Sequence, residues 1–218
     1  EAFGALLDKT RPDIVHCHNI YGRLTTSILA AARRRAVPAV LTVHDYKLVC
    51  PSYLMLMDGR PCNACMDGGY YRCLVHRCHN HSLAAAAVYA AEAYYTRLAG
   101  QYAAVSAFLC PSRFMADLLI QSGVSPKRVM YHPNCVDPAA YAPSDQPGEY
   151  VLYAGRLSGE KGILALIEAV KDAGIPLRIA GTGPMEEQVR ALGSTAGKSN
   201  IVCEGHCEGE RRAELHRN

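Results

Sequence analysis

The sequence has no strong charge of either sign: 23 Lys and Arg stand against 20 Asp and Glu, a formal net charge of +3 at pH 7. That excludes a partner recruited mainly by electrostatics, so no nucleic-acid partner is expected. There is no uninterrupted apolar run near the ~18 residues that a spanning helix needs, which excludes a transmembrane α-helix. The chain opens at Glu1 with neither an initiating Met nor a signal-peptide pattern, and Glu208–Asn218 reads as a helix cut short. An internal piece of a longer protein is expected. Without a secretion signal, a disulfide framework is the weaker explanation of the ten cysteines, and a reduced, cytoplasmic setting is expected.

What is present is ordinary globular composition, with 50% hydrophobic and 20% charged residues. Short runs rich in β-branched residues alternate with helical patterns. Strands are expected over 13–17, 39–44, 107–111 and 128–132, with helices over 22–35, 82–98 and 112–122. Ser82 suits an N-cap and Gly100 a helix stop. The segment 134–148 is Pro-rich and aperiodic. The pattern then restarts with strands at 150–154, 177–180 and 201–204 and helices at 162–173 and 185–192.

Such alternation implies βαβ units, and hence an α/β fold of two doubly wound parallel-sheet domains. The expected division is an N-terminal domain over 1–137, a linker over 138–148 and a C-terminal domain over 149–218, both domains incomplete. The Ala-rich helix after Ser82 is expected to pack inside the first domain, being interrupted by Glu92 and Arg97. Arg33, Arg34 and Arg35 complement a helix C-terminus and are compatible with weak peripheral contact with anionic lipid.

In open α/β sheets ligands bind beyond the carboxyl ends of the strands. Those ends carry His16-Cys17-His18-Asn19, His44-Asp45-Tyr46 and His132-Pro133-Asn134. In the second series they carry Gly155-Arg156-Leu157 and Gly181-Thr182-Gly183-Pro184. The stretch GRLSGEKG (155–162) sets Arg156 and Lys161 around a glycine-containing turn ahead of a helix. Small residues let the backbone approach an anion, free helix N–H groups receive it, and the cations neutralise it. The stretch is neither a P-loop nor a G-x-G-x-x-G turn.

Five cysteines fall between Cys50 and Cys78. Within them, Cys62-x2-Cys65-x7-Cys73-x4-Cys78 gives two close pairs, a spacing suited to a structural tetrahedral Zn²⁺. Cys50, His76, His79 and His81 are spare ligands. Unliganded thiols and a disulfide pair remain alternatives. The insertion, 50–81, has little periodic hydrophobicity, and a metal orders such a segment where a core cannot. The scattered cysteines, as in AFLC and IVHC, read as small buried hydrophobes.

The motif order resembles the retaining GT-B glycosyltransferases of the family-4 type. The resemblance rests on DIVHCHNIYG (13–22), VLTVHDYKLVCP (40–51), CPSRFMADLL (110–119), HPNCVD (132–137), YAGRLSGEKG (153–162), LRIAGTGP (177–184) and NIVCEGH (200–206). It implies a nucleotide-sugar donor held by the C-terminal domain and a glycan or lipid-linked acceptor on the N-terminal side, with no metal required for catalysis. Arg156 and Lys161 fall on the family's phosphate-binding cations, Glu160 on the glutamate that orients their loop, and Gly155, Gly181 and Gly183 on the turns beside the nucleotide. His44 and Asp45 fall on the family's H-D strand end, with His44 at the reacting centre. His18 and Asn19 fall on residues lining the acceptor cleft. Retention of configuration and a role in surface polysaccharide or glycoconjugate synthesis are carried by the resemblance alone.

Three departures stand out: the Gly-rich turn of the first strand and the two-glutamate motif are absent, and Cys135 replaces the glycine of N-G-V-D. The piece is therefore expected to be inactive alone. Two rivals remain open, a GT-B sugar-nucleotide epimerase and a zinc-dependent binding module centred on 50–81.

Overall fold

A computed structural model describes all residues except 23, 80, 138–145, 195–199 and 218. Two compact units result, Glu1–Cys135 and Val136–Asn218. Most of the expected linker, 138–145, lies outside the described residues.

The first unit runs α1 (Ala2–Thr10), β1 (Val15–His18), α2 (Ser27–Arg34), β2 (Ala39–Thr42), β3 (Leu56–Met57), β4 (Arg60–Pro61), α3 (Tyr71–Val75), α4 (Leu83–Leu98), β5 (Val105–Cys110), α5 (Arg113–Gln121) and β6 (Val129–Tyr131). β1, β2, β5 and β6 form one parallel sheet in that order. β3 and β4 make a separate antiparallel hairpin. The central strands are mostly apolar: Ala39, Leu41, Val105 and Phe108 are almost fully buried and pack with Leu29, Met115 and Leu119 from α2 and α5. Each such large side chain contributes about 1.5–3 kcal/mol through burial. Cys17 and Cys110 belong to this core.

Ser82 caps its helix as expected, and Ser112 caps the next one. Ser82 Oγ accepts the Ala85 N–H at 3.3 Å and Ser112 Oγ the Met115 N–H at 3.1 Å. α2 differs from expectation by starting at Ser27 rather than at residue 22. Thr25 sits at φ 57°, a left-handed conformation that a continuing right-handed helix cannot contain. α4 buries Ala86, Ala90 and Thr96 but leaves Val88, Tyr95 and Leu98 exposed, so only one face packs inward. Arg35 forks onto the carboxylate of Asp8 at 2.6 and 2.7 Å, joining α2 to α1.

The second unit runs β7 (Val151–Ala154), α6 (Ile163–Ala173), β8 (Leu177–Ala180), α7 (Glu186–Ser194), β9 (Ile201–Gly205) and α8 (Gly209–Arg217). β7, β8 and β9 are parallel and in sequence order. Its core is Leu157, Ile163, Ile167, Val170, Leu177, Ile179 and Val189. Among the described residues no helix is long and apolar enough to cross a membrane.

Candidate active site

In the first unit the sheet register brings histidines together. His16 and His18 alternate on β1, and His18 pairs with Thr42 at the end of β2, two residues before His44. His18 Nδ1 and His44 Nε2 share a hydrogen bond of 2.8 Å, with the rings stacked at 5.1 Å between centroids. His16 Nε2 meets the Thr42 hydroxyl at 2.7 Å, and its ring lies 4.2 Å from that of His18. Burial first, and then the neighbouring His18, His132 and His44, hold His16 below the usual imidazole value. The strand ends singled out in the sequence thus form one imidazole cluster.

Asn19 follows β1 in a left-handed conformation at φ 45°. Asp45 spends its carboxylate on structure: Oδ1 accepts the Lys47 N–H at 2.9 Å, closing a turn. Lys47 itself was not legible as special. It is buried and ion-paired with Glu92 of α4, and both border a 440 Å³ cavity whose wall includes Tyr102, Phe108 and Arg128.

In the second unit a 970 Å³ cleft opens at the carboxyl ends of β7, β8 and β9. Gly155, Arg156, Gly181 and Gly183 line it, as does His206 after β9. Two of these glycines are required by close backbone approach. A Cβ on Gly181 would lie 1.8 Å from the Gly155 carbonyl oxygen, and one on Gly183 2.4 Å from that of Leu157. The loops are laced by Leu157 N–H to Thr182 O at 3.0 Å and Gly155 N–H to Ala180 O at 2.9 Å.

Lys161 is not among the residues lining the cleft. It ends the short turn Gly159–Lys161 that leads into α6, whose N-terminus has no side-chain cap. Glu160 accepts the Ser158 hydroxyl at 2.6 Å, which fixes the loop. That hydrogen bond foremost, with Arg156 and Lys161 nearby, holds the Glu160 carboxyl below its ordinary value. The lining residues Cys207, Arg212 and His216 were missed in the sequence because α8 delivers two of them by folding back on the strand ends.

The insertion brings its thiols to one place. Cys50, Cys62, Cys65, Cys73, Cys78 and His76 line one small cavity, and all five cysteines are free thiols. Among the described residues no group of three or more His, Cys, Asp or Glu side chains is placed, as it stands, to hold a metal ion.

Comparison with known proteins agrees with this architecture. No curated protein matches the sequence. Among solved structures, Alr3699/HepE of Anabaena in complex with UDP-glucose is 15% identical with a TM-score of 0.56, over 95% of this chain and 52% of that one. The same protein with UDP and glucose gives a TM-score of 0.56 at 15% identity, over 98% and 53%. The lipopolysaccharide outer core galactosyltransferase WaaB in its apo form is 16% identical at a TM-score of 0.48, over 95% and 47%. The chain thus spans about half the length of the solved structures it matches. The likeness to HepE is one of fold, two parallel-sheet units of the GT-B type. The model of Glycosyltransferase Family 4 matches residues 1–140, well over half of the sequence, and the chain belongs to that family.

Proposed function

We propose that the protein containing this chain transfers a sugar from a nucleotide-sugar donor to a hydroxyl of a glycan or lipid-linked acceptor, with retention at the anomeric carbon. The observation that carries this reading is the glycine-walled cleft of the second unit. Gly181 and Gly183 leave bare backbone beside Gly155 and Leu157, and Arg156 lines the same space. A diphosphate is the ligand for which a bare backbone and a fixed cation are both useful. Family membership supports the transfer, and the UDP and UDP-glucose complexes of HepE support the donor class.

In the proposed reaction the bond from the anomeric carbon to phosphate breaks and its electron pair stays on the diphosphate. The acceptor oxygen forms the new bond and its proton leaves with the diphosphate. Arg156 opposes the charge that develops, and Lys161 supplies a second cation from the turn before α6. Fixed cations where leaving-group charge grows lower the barrier by several kcal/mol. His44 orients the reacting hydroxyl, and His18 holds His44 through their shared hydrogen bond. Surface polysaccharide or glycoconjugate synthesis is the setting that such an acceptor implies.

The test uses the full-length protein with UDP-hexoses and a panel of acceptors, with the product anomer read by NMR. Arg156→Ala is expected to lower transfer at least 100-fold with the fold intact. Unchanged turnover in both Arg156→Ala and Lys161→Ala rejects the site. Donor consumption without any acceptor-dependent product supports an epimerase instead.

A further inference from the structure

The thiol cavity of the insertion lies apart from any residue given a part in sugar transfer, and its composition is unusual. It measures about 10 Å³, the scale of a single water, which leaves no room for an organic ligand. Five of the ten cysteines in the chain border it. They arrive from separate places: Cys50 from the loop after β2, Cys62 and Cys65 from the segment after β4, Cys73 from α3, and Cys78 just beyond it.

One side of the segment is tied to the sheet core, where Val49 is buried and Cys50, Met55 and Met66 pack. The other side rests on a small buried cluster of Cys65, Tyr70, Cys73, Ala86 and Ala90. Tyr53, Met55, Asp58, Arg77 and His81 all adopt positive φ, which costs a non-glycine residue of the order of 1 kcal/mol each. A segment of this kind persists when something over-determines it, and a metal contributes that order in small domains.

We propose that this cavity is a structural zinc site whose ligands are Cys50, Cys65, Cys73 and Cys78. The four cysteines line this one space, and binding requires their side chains to draw together, since as they stand no three are placed to hold a metal ion. Cys50 takes the place that spacing alone would give to Cys62, for a geometric reason. Ser52 is buried at 1% exposure, and its hydroxyl is 3.2 Å from Cys50 Sγ. That contact places a polar partner beside the Cys50 sulfur, the kind of outer contact that orients a metal ligand.

The proximity of the other thiols agrees with this. Burial first, and then Cys50, Cys78 and Cys62, push Cys65 up to about 11. Burial followed by Cys78, Cys65 and Cys50 pushes Cys73 up to about 12. Arg72 pulls Cys65 the other way. On binding, Zn²⁺ replaces the four thiol protons, which are released to solvent, and no electron is transferred.

The experiment is metal analysis of the intact chain purified under reducing conditions, followed by exchange of zinc for Co²⁺. One zinc per chain is expected, and the cobalt form should show thiolate-to-metal charge-transfer absorption and tetrahedral d–d bands. Cys50→Ser, Cys65→Ser and Cys78→Ser should each fall below a tenth of that metal content, whereas Cys62→Ser keeps it. Cys73 is 1% exposed, so a loss of metal in Cys73→Ser does not separate ligation from packing, and the cobalt spectrum of the unmodified chain carries the thiolate count. A folded chain with no zinc overturns the site, as does a disulfide among these cysteines found by mass spectrometry without reduction. Loss of metal in Cys62→Ser with retention in Cys50→Ser overturns the ligand set. None of these results depends on sugar transfer.

Discussion

His18 Nδ1 and His44 Nε2 are 2.8 Å apart, so the carboxyl ends of β1 and β2 are joined by a hydrogen bond between two imidazoles. When both rings are neutral one must donate and the other accept, which puts both in the same tautomer, Nδ1–H if His18 donates and Nε2–H if His44 donates. When one ring is protonated the bond persists as a charge-assisted contact. When both are protonated it is lost and two cations face each other. The pair therefore gives His44 a defined orientation that an isolated surface histidine lacks.

This predicts a graded response in the full-length enzyme. His44→Ala should reduce kcat by about 100-fold or more, the range for a group acting on a reacting proton or hydroxyl. His18→Ala should reduce it less, and His18→Asn, whose side chain also hydrogen-bonds, should recover part of the loss. The checking measurement is kcat and KM together with the melting temperature. An equal loss in both His18 variants with a lowered melting temperature would indicate packing rather than orientation.

Gly181 offers a structural test that needs no donor. A Cβ there would lie 1.8 Å from the Gly155 carbonyl oxygen, and backbone cannot yield as a flexible side chain can. Gly181→Ala should cost about 2–3 kcal/mol, the scale of overpacking, and should weaken UDP binding to the second unit. Gly205, where an added Cβ meets nothing within 4 Å but φ is 74°, should lose less. Urea midpoints of the two variants, compared with nucleotide titrations, separate strain from site loss.

The alternation of strands and helices was legible because the central strands of both sheets are short, mostly apolar runs and most of the helices between them have an amphipathic period. The cap at Ser82 was legible because capping is local. α1 was not, and it holds Gly4 in its first turn. Arg35, which forks onto Asp8, fills the space where a Cβ on Gly4 would sit. Of the site, the strand-end histidines and the glycine turns follow from the rule that parallel sheets bind ligands at their carboxyl ends. Cys50 joins the thiol cavity, and Lys161 stays out of the cleft lining, for reasons of three-dimensional path that spacing does not encode.

Glu204 on β9 gives a pH prediction. Its carboxylate takes Arg211 Nη2 and Arg178 Nη1, both at 2.7 Å, bridging β8, β9 and α8. The Arg211 hydrogen bond foremost, against some burial and with help from Arg178, holds its pKa below the ordinary 4.5. A depressed carboxylate stabilises the fold above its unfolded value and loses that contribution as pH falls through its folded value. Stability measured by urea unfolding should therefore drop in steps below pH ~4.5. Glu204→Gln should already lack about 1–2 kcal/mol at pH 7 and show a shallower acid slope. Equal slopes in the two proteins would remove Glu204 from the acid transition.

The Lys47–Glu92 pair tests how the loop after β2 is held. The Lys47 side chain is 5% exposed, whereas that of Glu92 is 40% exposed. The ammonium also donates to Pro51 O at 3.3 Å and lies 4.7 Å from the centre of the Tyr89 ring. Three partners satisfy a buried cation, and the carboxylate is the only one of them that neutralises it. Removing it leaves a buried charge short of its counter-ion, which for fully buried pairs costs about 3–5 kcal/mol. The partial exposure of Glu92 lowers the expectation for Glu92→Ala to about 2 kcal/mol. Lys47→Met in the same background should return most of that loss, because an apolar side chain of similar length needs no partner there. Additive losses in the double variant, measured by urea unfolding, would mean that the two side chains act independently and that the loop is held by Pro51 and Tyr89 instead.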